Sequence, residues 1–283
     1  MKKGLIMEGG ALRGMFTCGV IDVFLEENIV FDGAAGISAG AAFGCNFKSR
    51  QIGRAIRYNK KYRSDPRYCS VRSWVKTGDL FGVEFCYHEL PDRLDPFDRE
   101  TFRNNPMEFY VGATDVETGH AVFHKCSDGG AADIEWMRAS ASMPVVSRPV
   151  QIGKYTLLDG GIVDPVPFRY MENRGYDRNV IILTQPLGYR KPKSSPAMQT
   201  LLKKYPAVAK AMAVRHIRYN RQMDEIRERE LAGKVLVIRP PQALGISRTE
   251  KDPAELERVY QTGRDEGKKQ LERVRKFLED MEA

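Results

Sequence analysis

Three short segments carry residues whose types and spacing could do chemistry. Gly36-Ile37-Ser38-Ala39-Gly40 is a G-x-S-x-G pentapeptide. A serine on a sharp strand-to-helix turn exposes its hydroxyl, and glycines two before and two after it avoid collisions there. The N-terminus of the following helix favours a developing negative charge. Glu8-Gly9-Gly10-Ala11-Leu12-Arg13-Gly14 is the second segment. Its glycines leave backbone N–H groups bare, so the loop can bind a phosphate or stabilise the oxyanion of a tetrahedral intermediate. Asp159-Gly160-Gly161 is the third. Read alone, that aspartate would only cap its own turn.

Other chemistries fit less well. Asp32 follows Gly10 at the distance of a ribose-binding carboxylate, but the glycine spacing is G-G-x-x-x-G rather than G-x-G-x-x-G. Glu8 would also set a negative charge beside a pyrophosphate. A Gly-Lys-Ser/Thr phosphate loop is missing, which disfavours ATP. A Ser-Asp-His triad in the α/β-hydrolase order needs a histidine after Asp159, and His216 is the sole candidate, in a basic helical segment. His88, His120 and His124 precede Asp159 and read as surface or structural histidines. The five cysteines are scattered without C-x-x-C spacing and no calcium-loop pattern occurs. Neither a metal nor another cofactor is therefore expected.

Positioning these residues requires alternating strands and helices. Gly4 to Met7 reads as a buried strand, and Met15 to Glu27 as a helix with Phe16, Val20, Val23 and Phe24 on one face. Val30 to Ala35 reads as a second strand and Ala39 to Phe47 as the next helix. Residues 50–105 read as basic and irregular, with the Arg54 to Arg67 stretch forming a solvated face able to meet anionic headgroups. Glu108 to Ala113 pairs with His120 to Lys125, and Val150 to Ile152 with Tyr155 to Leu158, as hairpins. Asn179 to Thr184 and Val235 to Ile238 are further strands. Ser194 to Ala232 is helical with a break at Pro206, and an amphipathic helix carrying Leu256, Val259, Tyr260, Gly263, Leu271 and Val274 ends the chain. The pattern predicts a three-layer α/β/α fold with a mostly parallel central sheet.

Composition sets the outer bounds. The 283 residues are 42% hydrophobic and 29% charged, inside the globular range. A body of this size buries roughly 75% of its unfolded surface. The apolar stretch after Lys2 and Lys3 is too short for a secretory signal, so a cytoplasmic protein is expected, with contact at membrane surfaces as its peripheral option. Lys plus Arg exceed Asp plus Glu by 45 − 37 = 8, which points to anionic partners.

In this order the three segments resemble the patatin-like phospholipase family: a Gly-rich oxyanion loop, G-x-S-x-G, and a downstream D-G-G/A. The resemblance runs over residues 5–185, and the rest is similar to the helical extension of a bacterial subset. It implies a patatin-like core over 1–190, with 191–283 as a helical extension with a further strand, part of the same domain. It further implies a serine-aspartate dyad without histidine, Ser38 as nucleophile and Asp159 as base. The amides of Gly9, Gly10 and Ala11 would form the oxyanion hole. Arg13, Gly14, Gly36, Gly40, Gly160 and Gly161 would support the motifs, with Arg13 closing the loop on an acid or facing an anionic substrate. Ala11 stands where the family commonly has a third glycine, at a cost of about 1 kcal/mol if that position needs positive φ. The implied activity is a serine acyl hydrolase acting on lipid esters through an acyl-enzyme, with no nucleic acid as partner. A non-catalytic basic module for nucleic acid or anionic lipid surfaces is the alternative.

Overall fold

The computed structural model describes residues 1–279; the last four residues of the 191–283 extension lie outside the described residues. The first half holds β1 (Lys2–Met7), α1 (Gly14–Glu26), β2 (Gly33–Ile37), α2 (Ala39–Lys48), α3 (Arg54–Tyr62), α4 (Val71–Thr77) and α5 (Arg99–Asn104). The rest holds β3 (Glu108–Asp115), β4 (Ala121–Cys126), α6 (Ala131–Ser140), β5 (Val150–Ile152), β6 (Tyr155–Asp159), α7 (Phe168–Asn173) and β7 (Tyr176–Ile182). It closes with α8 (Pro196–Leu201), α9 (Pro206–Leu231), β8 (Val235–Ile238) and α10 (Pro253–Glu279). The sheet runs β5-β6-β3-β2-β1-β7-β8, with β4 also pairing β3. Strands β3, β2, β1, β7 and β8 are parallel; β4, β5 and β6 pair antiparallel.

Strand alternation loads both faces of the sheet. Leu5 and Met7 of β1 join the core under α1, α2 and α10, whereas Ile6 joins the core under α7 and α9. β1 runs into the Gly-rich loop and β2 into the serine turn, side by side at the C-terminal edge of the parallel strands. Such an edge is where open α/β sheets place their ligands.

Two expectations need correction. The second strand begins at Gly33, not Val30, which is exposed, and it runs on to Ile37. Residues 50–105 are not irregular: α3, α4, a π-helix over Phe85–Leu94 and α5 occupy them. Nor is the Arg54 to Arg67 stretch uniformly solvated. Arg54 is buried and donates to the Asp95 carbonyl (2.6 Å) and to Asn46 Oδ1 (3.0 Å). Arg63 is fully buried against the rings of Tyr68 and Phe81. Carbonyls and rings supplied from distant segments make those burials tolerable, and local charge counting cannot foresee them.

No helix among the described residues is long and apolar enough to cross a membrane.

Asp22 ties α1 to its surroundings. Its Oδ2 accepts from Tyr260 OH (2.7 Å) and Gly53 N–H (2.9 Å), and burial pushes its carboxyl up to about 6. The folded state thus holds this proton more tightly than the unfolded chain does, so stability falls as pH rises from about 4 through 6. That rise in pKa corresponds to about 3 kcal/mol. Urea titrations at pH 4 and pH 7 should show wild type losing that amount relative to Asp22→Asn. Parallel pH dependences of the two proteins would refute the assignment.

Candidate active site

Ser38 sits between β2 and α2 with φ 54° and ψ −118°, a conformation that L-residues rarely adopt. The flanking glycines are dictated by contact. A Cβ on Gly36 would lie 2.2 Å from the Gly40 carbonyl oxygen, and one on Gly40 would lie 2.2 Å from that of Met7. Parallel pairing of β1 with β2 brings Met7 beside Gly36, so the pentapeptide folds directly over the end of β1.

Asp159 ends β6, which pairs with β3 and so reaches the neighbourhood of β2. Ser38 Oγ–H donates to Asp159 Oδ2 at 2.6 Å, joining residues 121 positions apart. The Gly161 N–H donates to Asp159 Oδ1 (2.7 Å), which fixes the carboxyl plane. Burial raises the pKa of Asp159; the bonds from Ser38 and Gly161 and the charges of Arg215 and Arg248 oppose that rise. Gly160 packs so that a Cβ would meet the Gly112 carbonyl oxygen at 2.3 Å.

The Gly-rich loop lies against the serine. A Cβ on Gly9 would stand 3.1 Å from Ser38 Cβ, and Gly14 packs as closely on Ala39. Ala11 adopts φ 48°, so the position where the family commonly has glycine does carry left-handed backbone. Gly10 and Ala11 N–H groups have no acceptor among the described residues. Gly9 differs: its N–H donates to the Pro165 carbonyl (3.3 Å), which removes it from the expected set of free amides. That bond braces the loop against the Asp164 to Pro167 turn.

Arg13 has no acidic partner among the described residues, and its Nε is buried without an acceptor. Of the two roles expected of Arg13, pairing with an acid is not found among the described residues.

Three supports escaped the sequence. Glu8 is buried; its Oε2 accepts from Thr184 N–H (2.5 Å) and Oγ1 (3.0 Å), and its Oε1 from Tyr219 OH (2.8 Å). It anchors the loop to β7 and α9. Ser140 accepts from Ser38 N–H (2.8 Å) and donates to the Gly112 carbonyl (2.6 Å), holding the strained turn. The small-residue run Ala139-Ser140-Ala141-Ser142 around it was the available signal. Arg215 of α9 donates from Nε to the Gly161 carbonyl (2.6 Å), steadying the aspartate turn from behind.

An apolar cleft opens at Ser38, walled by residues such as Leu12, Phe43, Tyr58, Tyr87, Met137 and Met143. Part of its wall is the π-helix, a geometry frequent at functional sites. No histidine hydrogen-bonds to Ser38 or Asp159 among the described residues. His124 Nε2 instead pairs with Asp133 (2.7 Å).

Folding does gather one His/Cys/Asp group that the sequence spacing hid: His124, Cys126 and Asp133 offer ligand atoms within 4.8 Å of one another. Asp133 Oδ2 already accepts three backbone N–H bonds, from Ser127, Asp128 and Gly129, and burial pushes the Cys126 thiol up. The group is a hydrogen-bonded knot at the β4–α6 turn.

A serine at a strand-to-helix elbow over a mostly parallel sheet defines the architectural class, an α/β protein built as the serine hydrolases are. Within that class the chain belongs to the patatin-like phospholipase family, whose model matches residues 5–171. Residues 205–279 match a domain of unknown function, DUF6363. An uncharacterized protein of Escherichia coli, YjjU, is 30% identical over 192 residues, covering 64% of this chain and 52% of that protein. Lysophospholipase NTE1 of Coccidioides immitis is 25% identical over 293 residues, covering 96% of this chain and 18% of that protein. The chain thus spans about half or less of these relatives. The solved structure of VipD from Legionella pneumophila aligns with TM-score 0.49 at 12% identity, covering 96% of this chain and 67% of that one.

Proposed function

We propose that this protein is a serine acyl hydrolase that cleaves acyl esters of lipids through an acyl-enzyme. The observation that carries the reading is the 2.6 Å bond from Ser38 Oγ to the buried Asp159, beside unoccupied amides and an apolar cleft. Asp159 takes the Ser38 proton as Oγ attacks the ester carbonyl. The oxyanion is held by the N–H groups of Gly10 and Ala11. Collapse of the tetrahedral intermediate expels the alcohol, which receives the proton from Asp159. Water then gives a proton to Asp159 and attacks the acyl carbon; as the second tetrahedral intermediate collapses, Ser38 Oγ takes that proton back from Asp159 and the fatty acid is released. Burial favours this role, because a base with a raised pKa takes a proton more readily than an ordinary carboxylate.

The alternative of a basic binding module has less behind it, since Arg54 and Arg63 are spent inside the fold. Contact with anionic membrane surfaces belongs to the leading reading. Val71, Trp74 and Val75 are exposed on α4 among Arg72 and Lys76, near the cleft wall at Tyr68 and Phe81. A cytoplasmic setting suits five free cysteines, four of them buried.

A fluorophosphonate probe tests the reading. One equivalent should add to Ser38, located by peptide mass spectrometry, and Ser38→Ala should take up none. Labelling elsewhere, or none in a protein that turns over p-nitrophenyl esters, would reject Ser38 as nucleophile.

A further inference from the structure

A second pocket lies behind the aspartate turn, outside the segment matched by the family model. Lys191, Arg215, His216 and Arg248 line it, together with Ser194 and Ser195, and no acidic residue does so among the described residues. Several cations on or beside α9 are matched: Arg190 pairs with Asp224, Arg227 with Glu230 and Arg229 with Glu172. Here they are not. Lys191 Nζ lies over the Tyr219 ring at 4.2 Å without a carboxylate partner. Arg215 spends only Nε, on the Gly161 carbonyl, and Arg248 has no ion pair or hydrogen bond among the described residues. His216 Nδ1 is buried without a partner.

Converging like charges raise the free energy of the empty pocket, and an anion relieves them. Burial and the nearby Arg215 already press Lys191 down to about 8. Glu8 and Asp159, the acids whose charges act on this group, are committed to the bonds described above. The pocket also lies close to the reacting atoms. Arg215 touches Gly161, Gly161 touches Asp159, and Asp159 touches Ser38, by bonds of 2.6, 2.7 and 2.6 Å. The apolar cleft opens at Ser38, and the charges of Arg215 and Arg248 act on Asp159, so an ester seated on Ser38 has an apolar wall and a cluster of cations within reach.

We propose that Lys191, Arg215 and Arg248 form an anion subsite that holds the phosphate of a glycerophosphate ester while its acyl chain lies in the cleft. This rests on Ser38 being the nucleophile. A phosphate offers several acceptor oxygens to two guanidinium groups and an ammonium, and charge-assisted bonds of this kind are strong.

The test compares kcat/KM for two esters with the same acyl chain, 1-acyl-glycerol 3-phosphate and 1-monoacylglycerol. Wild type should favour the phosphate ester by about tenfold or more. Lys191→Gln/Arg248→Gln should cut that ratio about tenfold or more, whereas Arg215 is left in place because it also braces the Gly161 turn. Calorimetry with glycerol 3-phosphate on Ser38→Ala, which needs no turnover, should show binding that the two Gln substitutions remove. A ratio near one with no glycerol 3-phosphate binding would overturn the subsite and leave the hydrolase intact. Failure to hydrolyse either ester, with glycerol 3-phosphate still bound, would overturn the hydrolase and keep the anion pocket. Inorganic phosphate binding as tightly as glycerol 3-phosphate, with a ratio near one, would assign the pocket to free phosphate and overturn the headgroup role.

Discussion

Ester turnover is expected to fall about 10⁴-fold in Asp159→Asn, by a similar factor in Ser38→Ala, and no further in the double variant. The two groups share one proton, so removing either leaves the other without a task. The amide that replaces the carboxyl can still accept the Gly161 N–H bond on its oxygen, which keeps the turn in place. Its nitrogen then faces Ser38 Oγ, offering a donor where the serine needs an acceptor. Stability should move in the opposite direction. A buried carboxyl whose pKa is raised on folding makes the protein less stable as pH climbs above the ordinary carboxylate range. Asp159→Asn should therefore melt no lower than wild type at pH 7, and higher relative to it than at pH 4. For the same reason the acid limb of kcat/KM should fall at a pKa above the ordinary 3.9 of aspartate. Initial rates across pH, with melting curves for all four proteins, check these expectations together. Losses that multiply in the double variant would mean that the two residues act separately.

The site was legible where chemistry follows local backbone demand. G-x-S-x-G had to contain glycines because a Cβ on Gly36 or Gly40 would stand 2.2 Å from a backbone oxygen, and that necessity shows in the sequence. Asp159 was legible only in company, since a turn aspartate has a commonplace use and its link to Ser38 spans 121 residues. The supports were not legible. Glu8 meets Thr184 and Tyr219 across 176 and 211 residues, and no spacing rule joins them. Basic composition misled at Arg54 and Arg63, because the acceptors that permit their burial lie at Asp95 and Glu250. The same reasoning missed the cationic pocket, whose members come from the segment after β7, from α9 and from the loop before α10. Net charge reported that cations were in excess. Only folding says which ones lack a carboxylate.

Gly263→Ala should destabilise the protein by about 3 kcal/mol and lower its melting temperature by roughly 10 °C. Helix propensity alone predicts the reverse, since alanine gains about 1 kcal/mol over glycine inside a helix. The sign is decided by the crossing of α1 and α10. A Cβ at Gly263 would stand 2.0 Å from the Phe16 carbonyl oxygen, and one at Gly19 would stand 2.1 Å from that of Tyr260. Both contacts are with backbone, so no side chain can rotate away. The helices must separate, and separation loosens Leu256, Val259 and Val274, which bury the apolar face of α10 in the core beneath α1. It also lengthens the Tyr260 OH bond to Asp22. Asp265→Ala, on the exposed side of the same helix, should change stability by no more than about 0.5 kcal/mol. Urea denaturation followed by circular dichroism measures both variants. A Gly263→Ala protein as stable as wild type would show that α10 does not rest on α1 at this distance. The anchoring of the chain's last helix, and with it the placement of Arg248 in the preceding loop, would then need another account.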